Sequence, residues 1–155
     1  MKFQTSKKVI IFLFFIAVFS STSFLVGAFE VGSKADFFLE SRFGAARREK
    51  VSAYLVKSSN NLYFYIDELW WNYRKDTEKE KALSFLDDLS NEFNNRIYPR
   101  LTSVFGSERR PGIDKDEKIT VLFHLMNAFE GGYFREIDGY EKIQLPESNE
   151  REMVY

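Results

Sequence analysis

The run Lys50-Val51-Ser52-Ala53-Tyr54-Leu55-Val56-Lys57, the cluster Ser58-Ser59-Asn60-Asn61 and the run Leu62-Tyr63-Phe64-Tyr65-Ile66-Asp67 together decide the fold. Val51, Ala53 and Leu55 share one face of the first run and Tyr54 and Val56 the other. In the second, Leu62, Phe64 and Ile66 oppose Tyr63 and Tyr65. Two period-2 runs around a short polar turn predict an antiparallel hairpin.

Working outward, Asp36 to Phe43 reads as a further strand, and Arg47-Arg48-Glu49-Lys50 as a solvated turn. Downstream the period changes. Thr77 and Glu80 match a capping box, and Ala82, Phe85, Leu86, Leu89, Phe93 and Ile97 recur at helical spacing. Pro99 is suited to begin a new helical turn, with Leu101, Val104 and Phe105 as its apolar stripe and Gly106 as its stop. Lys118 to Leu125, rich in β-branched and aromatic residues, reads as a strand. The expected fold is α+β, with antiparallel strands packed against one long helix.

Met1 to Ala28 has the three parts of a secretory signal peptide. Lys2, Lys7 and Lys8 precede the apolar run Val9 to Phe19, and Val26-Gly27-Ala28 offers slim residues for cleavage. Once the signal is cleaved, no membrane partner is expected; a retained N-terminal membrane anchor is the alternative, although the run is short for a span. Residues 29–35 read as a linker and 36–155 as one domain.

The formal charge of −1 conceals an asymmetry, because removing Lys2, Lys7 and Lys8 leaves 19 basic against 23 acidic residues, near −4. An acidic balance argues against nucleic acid as a partner. The chain has no cysteine, so an exported form rests on its core, for which 17 phenylalanines and eight tyrosines supply the apolar area.

Candidate sites are few. His124 is the only histidine and has no partner at metal-ligand spacing, which favours a structural role. Asp114 and Asp116, with Gly112 before and Glu117 beside them, resemble the start of a calcium loop. They lack the third acid and the distant bidentate glutamate of an EF-hand, and a solvated loop is the plainer reading. Trp70-Trp71 suits core packing better than a recognition platform. Gly131-Gly132-Tyr133-Phe134 permits a bulge or the close approach of another chain. No Ser/His/Asp or Cys/His set and no phosphate-cradling glycine loop is present.

Asn95-Arg96-Ile97-Tyr98-Pro99-Arg100-Leu101-Thr102-Ser103-Val104-Phe105-Gly106, then Pro111-Gly112-Ile113-Asp114-Lys115-Asp116, the strand Ile119 to Phe123, Gly131 to Phe134 and Ser148-Asn149-Glu150-Arg151-Glu152-Met153 form an ordered series. It resembles the region upstream of the zinc site in secreted bacterial metallopeptidases similar to the hyicolysin and immune inhibitor A groups. The resemblance implies the N-terminal part of a zincin-like domain and peptide-bond hydrolysis by zinc-bound water. It also implies peptide or protein substrates, added as an extra strand along an edge formed by Gly132, Tyr133 and Phe134. The His-Glu-x-x-His helix of that family is absent from this sequence, so the chain supplies no zinc ligands and is expected to be inactive alone. Met153-Val154-Tyr155 reads as a strand entering a core, which suggests a chain that stops before its catalytic half. The alternative is a non-enzymatic secreted binding or adhesion module.

If the N-terminal segment is a signal peptide, exported protein begins at Phe29. N-terminal sequencing checks this, and a product that still begins at Met1 would establish the anchor instead.

Overall fold

The structure is a computed structural model that describes residues 29–155. The expected signal segment, 1–28, lies outside the described residues.

The predicted hairpin forms. Strands β1 (Lys34–Phe38), β2 (Lys50–Ser58), β3 (Leu62–Asp67), β4 (Ile119–Phe123) and β5 (Met153–Val154) make one sheet whose spatial order follows the chain order. All six residues of β3 are buried, so this strand is the axis of the molecule. Tyr63 and Tyr65 point into one core with Phe37, Val51, Ala53, Leu55, Leu122 and Met153. Leu62, Phe64 and Ile66 point into the other, beneath Leu86. The alternation read from the sequence thus separates two cores.

β1–β2 and β2–β3 are antiparallel, but β3–β4 and β4–β5 are parallel, so the sheet is mixed rather than antiparallel throughout. The cause is connectivity. A short turn joins β2 to β3, whereas the whole helical segment lies between β3 and β4, and a long crossover returns the chain to the same end of the sheet. Between Leu55 and Lys57 the β2–β3 register shifts, leaving Val56 as a bulge that bends the strand. The sheet curls accordingly, and its edges at β1 and β5 meet through side chains.

The helical segment is α1 (Glu68–Asn72), α2 (Asp76–Glu92), a π-helical turn (Phe93–Ile97) and α3 (Tyr98–Phe105), the last three continuous. Helix α2 begins one residue before Thr77. Its N-terminus is closed by Glu78, whose Oε2 accepts from the Lys75 N–H at 3.1 Å, rather than by Glu80. Pro99 does not stop the helix. Its ring would crowd the carbonyl four residues back and it offers no N–H, and the wider π turn just before it absorbs the mismatch.

β1 ends at Phe38 instead of Phe43 and starts at Lys34, inside the stretch read as a linker. The Arg47–Lys50 segment is not simply solvated. Arg48 forms an ion pair with Asp67, a fully buried carboxylate that also caps α1 by accepting from the Leu69 N–H at 2.9 Å. A buried charge of this kind needs a cation, and Arg48 is it.

Leu55 has no solvent exposure, and its side chain fills the core under Tyr65. Leu55→Ala is therefore expected to lower stability by about 2–5 kcal/mol. Urea unfolding at constant slope measures it.

Candidate functional site

Two features converge at the C-terminal ends of the parallel pair β3 and β4. The first is an open apolar groove of about 300 Å³. Ile66 and Phe123 form its floor, Trp70 of α1 and Phe85 of α2 its walls, and His124 and Leu125 its end. Helical spacing puts Ala82, Phe85 and Leu86 on the face of α2 that meets the sheet. Phe85 and Leu125 are exposed although apolar, 59% and 48% respectively, which marks them as the rim. Trp70 and Trp71 are part-buried against the helix-side core and stack at 6.4 Å, with Arg74 over Trp70 and Lys79 over Trp71. The pair therefore packs, while Trp70 also contributes to the groove.

The second feature lies behind His124. The ring meets Tyr133 and Tyr155 edge-on, and those two tyrosines stack face to face at 4.4 Å. Nδ1 lies 3.1 Å from the Leu125 carbonyl and Nε2 3.2 Å from the Tyr133 hydroxyl. A carbonyl only accepts, so Nδ1 carries the proton and Nε2 accepts from Tyr133. The same hydroxyl accepts from the Glu40 N–H at 3.4 Å. Burial lowers the His124 pKa and pushes the Tyr133 pKa up to about 12, so both rings are neutral at pH 7.

Beyond the tyrosines is a buried polar knot. Tyr155 donates to Asp138 Oδ2 at 2.6 Å, and Arg135 Nη1 donates to Asp138 Oδ1 at 3.2 Å. The Asn149 side chain treats Phe38 as a neighbouring strand would, accepting from its N–H at 2.8 Å and donating to its carbonyl at 2.9 Å. Arg135 Nη1 reaches the same carbonyl at 2.9 Å. Burial raises the Asp138 pKa, and the donors around it oppose that shift. The sequence reading missed this network. Its signal was present in the Arg135/Asp138 spacing and in Asn149, whose amide can imitate a peptide group.

Gly132, Tyr133 and Phe134 lie at the sheet's β5 edge. The Tyr133 N–H and carbonyl exchange hydrogen bonds with Tyr155 at 3.1 and 2.9 Å, so the chain itself occupies that backbone. Gly132 sits at φ +153°, and a Cβ there would stand 2.9 Å from the Tyr155 carbonyl. The close approach that the glycine allows is that of Tyr155. Phe134 is exposed.

Asp114 and Asp116 organise a turn. Asp114 Oδ1 accepts from the Asp116 N–H at 2.9 Å, while Asp116 accepts from the Lys118 N–H at 2.8 Å and the Tyr63 hydroxyl at 3.1 Å. Burial raises the Asp114 pKa. Among the described residues no group of three or more His, Cys, Asp or Glu side chains is placed to hold a metal ion. His124 does not fit a zinc site, since both ring nitrogens are engaged within the fold.

The His124 geometry has a pH consequence. Its folded pKa lies below the unfolded value, so the unfolded state binds more protons in the interval between them. Stability contributed by neutral His124 is full above about pH 6.5 and falls as the pH drops through that interval toward the lowered folded value. His124→Gln is expected to flatten this part of the stability–pH curve relative to the parent. Thermal melts from pH 7.5 to 5 on both proteins measure the difference.

Comparison with protein-family models matches none, and a search of curated proteins returns no similar sequence.

Proposed function

We propose that this chain is a non-enzymatic binding module whose working surface is the groove beside His124, and that it receives a bulky apolar side chain from an extended peptide. The observation that carries this reading is the groove itself. It is apolar, open, placed at the carboxyl ends of two parallel strands, and it ends on one polar residue. The ionisable groups behind it support a binding role over a catalytic one. His124 Nε2 is turned to Tyr133 rather than to the groove, and the hydroxyl there is far from the neutral range that general acid–base chemistry uses.

A peptide is also the substrate class that the resemblance to secreted zinc peptidases implies. In that setting the groove would hold substrate for a catalytic unit encoded beyond Tyr155. The genomic reading frame separates the two settings, because the peptidase requires a His-Glu-x-x-His helix downstream.

Titrating a peptide with one central phenylalanine between polar residues, followed by amide NMR, tests the groove. Chemical-shift changes are expected at Phe85, His124 and Leu125, and Phe85→Asp should weaken binding by about tenfold or more. Shifts confined to another surface would sink the proposal.

A further inference from the structure

The π turn and α3 carry a surface that the groove beside His124 does not use. Ile97, Leu101, Val104 and Phe105 form a helical stripe exposed by 37%, 48%, 69% and 81%. The stripe rises toward solvent along the helix, and the two most exposed residues stand at its tip before Gly106. Behind it a second apolar groove, of about 490 Å³, runs between α3 and the sheet over Leu89, Phe93 and Val121 as far as Val154.

Charge around this stripe departs from that of the molecule. Residues 94–110 hold Arg96, Arg100, Arg109 and Arg110 against Glu108 alone, a net +3. Taking these from the 19 basic and 23 acidic side chains of residues 29–155 leaves 15 and 22, a net −7 for the remainder. Arg96 and Arg100 lie one turn apart beside the stripe, both exposed. Arg110 pairs with Glu108 at 2.8 Å, and Arg96 with Glu92 at 3.0 Å across an exposed contact that water weakens.

We infer that α3 and the π turn form a docking face for an anionic lipid bilayer. Val104, Phe105 and Leu101 would enter the interfacial region while Arg96, Arg100 and Arg109 meet lipid phosphates. Charge complementarity selects this occupant, since a net basic rim around exposed apolar side chains on an otherwise acidic protein matches a negatively charged, apolar-backed surface. Among the described residues no helix is long and apolar enough to cross a membrane, so the contact lies in the plane of the interface. This departs from the expectation that the protein, once free of its signal segment, has no membrane partner.

The sequence has no cysteine, so Val104→Cys accepts an environment-sensitive fluorophore at one position of the full-length chain. Emission is compared on phosphatidylcholine vesicles with and without phosphatidylglycerol. The expected result is a blue shift only when phosphatidylglycerol is present, reversed by high salt. Arg96→Gln, Arg100→Gln and Arg109→Gln should each weaken the response by about fivefold. Because the label reports its own surroundings, an independent contact by the N-terminal segment does not produce the shift. Unchanged emission, an equal shift on phosphatidylcholine alone, or an equal shift of a label at the exposed Gln144→Cys would overturn the inference. Emission already blue-shifted in vesicle-free buffer would overturn it too, since a second copy or the chain itself would then cover the face.

Discussion

The fold depends on the capture of one backbone position, Phe38, by the far end of the chain. Its carbonyl lies within hydrogen-bonding reach of Arg135, Asn149 and Tyr155, and its N–H donates to Asn149. β1 and β5 are opposite edges of a five-stranded sheet. Left apart, each would offer unpaired peptide groups to other chains. The knot brings them together without a sixth strand, because an asparagine amide has the donor and acceptor of a peptide unit. The apolar core under Tyr65 fills the concavity that results.

This arrangement also explains the condition of His124. The stacked pair Tyr133 and Tyr155 stands between it and Asp138, so the histidine meets aromatic edges and a hydroxyl rather than the carboxylate. Burial is then the largest influence on its protonation and keeps it neutral. The groove consequently ends on an uncharged polar ring, which suits an apolar ligand. His124 and the tyrosine pair separate the groove from the knot.

What the sequence disclosed followed from periodicity. The β2–β3 hairpin, the two faces of β3 and the long helix were all readable, because burial repeats every two or every 3.6 residues and leaves that spacing in the chain. Strand direction was not readable in the same way, since an apolar run such as Ile119–Phe123 pairs in either sense and only the crossover chooses. Strand length failed at Phe38, where Asn149, 111 residues away, takes the place of further pairing. Arg48 looked solvated for a similar reason: its partner Asp67 is remote in sequence and buried. Of the candidate residues, His124 stood out by being alone, whereas the partners that define its chemistry belong to separate segments. Gly132 and Asp114/Asp116 also take part in internal contacts, with Tyr155 and within a local turn, and residue identity alone names neither partner.

The dependence of Phe38 on Asn149 and Tyr155 sets an order of events in time. Synthesis proceeds from the N-terminus, so β1, β2 and β3 can form their local meander while the residues that seal β1 have not yet been made. For as long as that lasts, β1 keeps an open edge and the concave face lacks Met153 and Tyr155. Closing so long a loop adds an entropic cost that grows only slowly with its length, but it cannot begin early. The nascent chain therefore passes through a stage at which it is most prone to pair with its neighbours, and the arrival of Asn149 and Tyr155 ends that stage.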